Sequence, residues 1–152
     1  LKVIVGYPTP EEEKLIVQRM AQVTQKRRVP AVATPEQVLA ARALLDEIYV
    51  DEKILDYVVA LVFATREPAQ RGLRELAPMI LYGASPRASI ALVRAARARA
   101  LLEGRPFVLP QDVKQVGADV LRHRVITTYE AEAEGLGSEQ VIARVFETVP
   151  VP

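Results

Sequence analysis

The stretch Tyr82-Gly83-Ala84-Ser85-Pro86-Arg87-Ala88 limits what this chain can fold into, because it opens the longest uninterrupted helical pattern in the sequence. Ser85 carries an oxygen able to accept from an orphan first-turn amide, the N-cap role. Pro86 follows at the first helical position, where its absent N–H costs nothing and its fixed φ suits the helix. Gly83 permits a sharp turn into that start. The pattern predicts a helix to Glu103, with Gly104 as its stop and Pro106 just beyond. Ala88, Ala91, Ala95 and Ala98, leading to Leu102, put small residues along one side, which predicts a close packing seam.

Arg87 breaks the local rule. Helix N-termini carry partial positive charge, so a first-turn cation is disfavoured by roughly a few tenths of a kcal/mol. Such breaks are expected at functional sites. Two readings fit the residue: its guanidinium joins the free first-turn amides in an anion-binding corner, or it is an exposed arginine reaching back to a carboxylate. Arg94, Arg97 and Arg99 lie nearer the C-terminal end, where cations are better tolerated.

Upstream, Leu1-Lys2-Val3-Ile4-Val5 is a β-branched run bounded by Gly6, Pro8 and Pro10, which predicts a short strand with no convincing partner nearby. Thr9 and Glu12 predict a capping box with Pro10 at the first helical position, and Glu11, Glu12 and Glu13 suit the positive helix end. Ile16, Met20 and Val23 form its apolar face, and Lys26-Arg27-Arg28 ends it. Thr34-Pro35-Glu36-Gln37 repeats the start signal, with Val38, Ala41, Leu45 and Ile48 at helical spacing. A third helix from about Asp51 carries apolar residues nearly all round, including Ile54, Leu55, Val58, Val59, Leu61 and Val62, and is expected to be the most buried element. Its Tyr57 and Phe63 read as core.

From Glu67 to Met79, prolines, Gly72 and charges predict an irregular connection. Its Arg71 and Arg74 are open to phosphate, to a neighbouring subunit or to solvent. Pro110-Gln111-Asp112 starts a helix with Val113, Val116 and Val120 as its stripe despite Gly117. His123, the only histidine, has no clustered carboxylate and reads as surface or helix-end structure. Val125 to Tyr129 suggests a short extended segment, after which Glu130, Glu132 and Glu134 would share one face if the backbone stayed extended. Ser138 is expected to cap a final helix with Val141, Ile142, Val145 and Phe146 inward.

A chain of 152 residues can build one real core. A formal net charge of +1 gives no electrostatic case for nucleic acid or an acidic membrane surface. The absence of cysteine excludes disulfides and thiolate chemistry. No apolar run reaches the roughly 18 residues of a membrane span, and nothing reads as a signal peptide. The reading is a soluble, cytoplasmic protein.

Gly83-Ala84-Ser85-Pro86-Arg87-Ala88, followed by Leu92-Val93-Arg94-Ala95-Ala96-Arg97-Ala98 and later Pro110-Gln111-Asp112-Val113, resembles the MoxR family of AAA+ ATPases. Tyr7-Pro8 with Glu11-Glu12-Glu13 resembles the family's crossing from ATPase core to lid, and Tyr129 to Gly135 its C-terminal segment. The resemblance implies that Arg87 is the sensor 2 residue, reaching from the lid to the nucleotide's phosphates, with Pro86 and Tyr7 beside it at the nucleotide. It implies ATP and Mg2+ in the full-length protein, a ring of subunits, and chaperone-like remodelling of client proteins, some with von Willebrand A-type domains. None of the seven glycines begins a G-x-x-x-x-G-K-[ST] loop, and no apolar strand ends in paired acidic residues.

The chain is therefore expected to be mainly α, a helical bundle lid with a short N-terminal strand remnant. Residues 1–8 are read as the end of the last core strand and the hinge, and residues 9–152 as the lid, the carboxyl-terminal piece of a longer ATPase. Alone it is expected to hold no nucleotide and to be inactive. The competing reading is a stand-alone helical adaptor that binds protein without nucleotide. A helix-turn-helix DNA reader fits worse, because the Gly104–Leu109 connection is long and no helix presents a basic reading face.

Overall fold

The computed structural model describes residues 1–21 and 29–152. Val23 and the Lys26-Arg27-Arg28 end expected of the first helix lie outside the described residues. The elements run α1 (Pro10–Met20), α2 (Pro35–Ala43), α3 (Glu52–Arg66), β1 (Ile80–Tyr82), α4 (Pro86–Leu102), α5 (Pro110–Leu121), β2 (Ile126–Thr127), α6 (Tyr129–Ala133) and α7 (Ser138–Thr148), with 3-10 turns at Leu44–Glu47, Pro68–Arg71 and Arg74–Met79. The fold is mainly α. β1 and β2 pair antiparallel, matching Ile80 with Thr127 and Tyr82 with Ile126.

Local chemistry explains the early starts. In α1, Thr9 N–H donates to Glu12 Oε2 at 2.8 Å while Glu12 N–H donates to Thr9 Oγ1 at 3.3 Å. Thr34 and Gln37 repeat the exchange at 2.8 and 3.2 Å. Asp51 caps α3 by accepting from Lys53 N–H at 2.9 Å. α3 is the hub, burying Ile54, Tyr57, Val58, Leu61, Val62, Ala64 and Thr65. α4 packs against both α3 and α5, and α7 closes the bundle over α3 and α5. The core draws on residues from Ile48 to Val149.

Several expectations change. Leu1–Val5 forms no strand: among the described residues its backbone bonds run to the end of α5, Lys2 N–H donating to Asp119 O at 2.8 Å and Lys2 O accepting from Arg122 Nη1 at 2.5 Å, and neither partner is a strand. α1 and α2 bury no residue, so Ile16, Met20 and Val38 lie on the surface. The pattern expected to continue through Ile48 breaks at Ala43, and Ile48 enters the core on extended backbone. In α4 the inward row is Ala88, Leu92, Ala96 and Ala100, with Ala91 and Ala95 beside it and Leu102 82% exposed. The helix has turned to bury Leu92 at its middle in place of Leu102 at its end. Ser85 sits at the N-cap position of α4 without a side-chain cap bond. Glu130 and Glu132 fall in α6 because Thr128 Oγ1 accepts from Ala131 N–H at 3.3 Å and starts a helix there. The cap of α7 is Gly137, with Ser138 already helical and Gln140 Oε1 accepting from Gly137 N–H at 3.0 Å.

Gly117 lies in the middle of α5, where glycine costs about 1 kcal/mol against alanine. The Phe146 ring of α7 occupies the space its Cβ would need, so the glycine is what lets α7 approach. The α4–α5 turn is fastened by charge. Asp112, 2% exposed, accepts from Arg105 Nη2 at 2.6 Å, Arg105 Nη1 at 2.9 Å and Leu109 N–H at 2.8 Å. Burial alone would raise its pKa, but the Arg105 guanidinium and the Leu109 amide hold it below the ordinary 3.8.

A depressed carboxylate pKa contributes stability above its unfolded value, and that stability is lost as pH falls through the folded value. Asp112→Asn should lower stability at pH 7 by about 2–3 kcal/mol, less than for a wholly buried pair because Arg105 is partly exposed. Thermal melts should show a drop of about 4–12 °C at pH 7 that narrows below the ordinary carboxylate pKa. A gap that stays constant from neutral to strongly acidic pH would exclude the ion pair as its source.

Candidate functional site

The start of α4 is built by five residues in sequence, Gly83 to Arg87, and two from elsewhere, Thr65 and Arg66. Gly83 lies against the backbone of Thr65 and Arg66, where an added Cβ would overlap Thr65 O and stand 2.9 Å from Arg66 Cα. Ala84 is fully buried; its N–H donates to Thr65 Oγ1 at 2.9 Å and its carbonyl accepts from Arg66 Nε at 2.6 Å. Ser85 then leaves the core, Pro86 fixes the first turn, and Arg87 projects as an exposed side chain. No acidic side chain pairs with Arg87 among the described residues.

Arg87 opens a groove of about 570 Å³ with Arg94 and Arg124 on its walls and Ile90, Ala91 and Ala95 among its lining. Arg87 and Arg94 are two helical turns apart, about 10 Å along one face. Arg124 is anchored by its Nε, which donates to Val120 O at 2.9 Å at the end of α5. Three cations and no carboxylate line this groove, so its chemistry favours an anion. His123, next to Arg124, is exposed; burial first, then Arg124, Lys2 and Arg122, hold its pKa below the ordinary 6.5.

Pro86 and Arg87 are consecutive and share this start. Tyr7 is fully exposed in the irregular N-terminal stretch and contacts neither of them among the described residues. Arg71 lies over the Phe63 ring, 5.9 Å from its centroid, opposite claims on that ring coming from Arg66 at 5.1 Å. Arg74 is exposed. Among the described residues no group of three His, Asp or Glu side chains is placed to hold a metal ion, and no helix is long and apolar enough to cross a membrane. Sequence reasoning missed Thr65 and Arg66, whose bonds to Ala84 span 19 and 18 residues. The one signal was Gly83, which marks a close backbone approach.

The family model of the AAA lid domain matches residues 74–145, the span holding β1, α4, α5 and most of α7. Over 151 residues, 99% of this chain, it is 44% identical to the chaperone MoxR1 of Mycobacterium tuberculosis. The chain belongs to the MoxR family of AAA+ ATPases, as its helical lid. A MoxR protein of Paracoccus denitrificans is 47% identical over 102 residues, 63% of this chain and 30% of that protein. A crystal structure from Cytophaga hutchinsonii, named a "putative ATPase", superposes with a TM-score of 0.92 at 38% identity, covering 97% of this chain and 45% of that one. This lid spans 40% of the length of MoxR1.

The Gly83 contact generates a test. Gly83→Ala presses a methyl against backbone that cannot yield, so the lid should lose about 1–3 kcal/mol and melt several degrees lower. Gly6→Ala, whose Cβ meets nothing within 4 Å, serves as the control and should move the melt by about 1 °C or less. Equal melting of the two variants would exclude the close approach.

Proposed function

We propose that this lid closes over ATP and Mg2+ bound by an AAA+ core and that Arg87 is its sensor 2 residue. The observation that carries the reading is an exposed guanidinium in the first turn of α4, without a carboxylate partner among the described residues and beside two further arginines. The donor set suits phosphate: a planar fork that bonds two oxygens at once, at a helix end already positive. Bound ATP supplies the scissile phosphoanhydride and its negative charge. Arg87 binds and orients phosphate oxygens, Pro86 fixes the backbone from which it projects, and Tyr7 borders the nucleotide at the crossing from core to lid.

Closure of this kind changes how one subunit meets the next in a ring. Nucleotide state is thereby passed to chaperone-like remodelling or assembly of client proteins, von Willebrand A-type domains among them. Family membership and the family name of MoxR1 as a chaperone support this part of the reading.

In the full-length ATPase, Arg87→Ala should spare the lid fold, since alanine is a good helix former and a first-turn arginine adds little. Loss of one charge-assisted contact should weaken nucleotide-dependent closure or hydrolysis by about 1.5–3 kcal/mol, roughly ten- to a hundredfold. Arg87→Lys should recover only part of this, because lysine keeps the charge and loses the fork. Steady-state kinetics and nucleotide titration decide it: unchanged kcat, KM and Kd in both variants would remove Arg87 from the site.

A further inference from the structure

The chain entering α4 is held from outside that helix. Ala84 is fully buried, and both of its backbone polar groups are bound by the last turn of α3. Thr65 is fully buried too, and its hydroxyl donates to Val62 O at 2.7 Å. A hydroxyl has one hydrogen, so this bond leaves Thr65 Oγ1 as acceptor toward Ala84 N–H. Arg66, which holds the Ala84 carbonyl, is steadied over the Phe63 ring at 5.1 Å. Gly83 lets the two backbones meet at a distance no side chain permits.

Ser85, at the position where a helix usually caps itself, makes no side-chain cap bond. The first turn of α4 is therefore located by α3. Only Ser85 and Pro86 stand between the held peptide and Arg87, and proline has a fixed φ. We infer that Thr65 is a positioning residue for Arg87: the Thr65–Ala84 clasp sets the direction in which the guanidinium leaves α4. The inference rests on the sensor reading of Arg87 and assigns Thr65, which touches no phosphate, the task of aiming the group that does. A shift of about 1 Å in such a group costs about a hundredfold in rate, so a partial loss of aim should be readily measured.

A double-mutant cycle in the full-length ATPase tests it, with circular dichroism melts on every variant. Thr65→Val keeps the branched shape and removes the acceptor; kcat for MgATP hydrolysis should fall about tenfold while KM moves by about twofold or less. Thr65→Ser, which keeps the hydroxyl, should recover kcat to within about twofold. In an Arg87→Ala background Thr65→Val should add about twofold at most, since the residue it aims is gone. Equal losses in both backgrounds would overturn the positioning role and leave the sensor reading standing. An Arg87→Ala variant with unchanged kcat would overturn the sensor reading and this inference with it. Should Thr65→Val fail to fold, Arg66→Met replaces it in the cycle, removing the bond to Ala84 O, and the same criteria apply.

Discussion

A peptide unit buried away from water must find partners for both its N–H and its C=O, or cost about 1–3 kcal/mol for each group left bare. At Ala84 this requirement decides the architecture. The residue sits between β1 and α4, where neither ladder nor helix can serve it, and α3 supplies both partners from its final turn. α3 can do so because Thr65 is a hydroxyl residue at a fully buried position and Arg66 lies just outside it. The N-terminus of α4 is thereby tied to the C-terminus of the most buried helix. α5 follows α4 through the Arg105–Asp112 turn, and α7 reaches α5 over Gly117.

The charge on the groove follows a different logic. Three arginines around one cleft repel, but in water two unit charges attract or repel by only about 1 kcal/mol at 4 Å and by less at the 10 Å that separates turns. Salt screens much of the remainder beyond about 8–10 Å. Left open, the arrangement costs the fold little. Covered by another surface it becomes expensive, because the effective dielectric falls and no carboxylate lines the groove. The cheapest way to cover it is with an anion inside. On the proposed reading, an open, uncompensated basic groove favours closure over phosphate and opposes closure without it.

What the sequence disclosed was mostly local. Thr9 with Glu12 and Thr34 with Gln37 fulfil their capping boxes because every atom of the motif lies within four residues. The extent of α3 and α4 and the burial of α3 were readable from caps and apolar spacing for the same reason. The facing of α4 was not. Its alanines fill two neighbouring rows, and the choice between them depends on where Leu92 finds room between α3 and α5. Glu130, Glu132 and Glu134 alternate on paper, but the Thr128 hydroxyl bonds Ala131 N–H and also donates to Pro78 O, so a helix forms where alternation suggested extended chain. Of the candidate site, Pro86 and Arg87 could be named from their position at a helix start. Thr65 could not, since nothing near residue 65 refers to residue 84.

α1 and α2 mark the limit of pattern reading in another way. Both have a proline at the first position, a reciprocal cap and apolar residues at helical spacing, and both are helices. Yet Leu15, Ile16, Val17 and Met20 in α1, and Val38 and Leu39 in α2, remain largely exposed. Periodicity reports that a face is apolar; it does not report what the face meets. Helices of 11 and 9 residues are shorter than the roughly 12–15 at which isolated helices become even marginal in water. Their caps and first-turn charges are worth about 1 kcal/mol each, enough to define where a helix starts and too little to hold it without burial. The stability of this lid therefore resides between Ile48 and Val149, where α3 buries its stripe and fixes the peptide before Arg87.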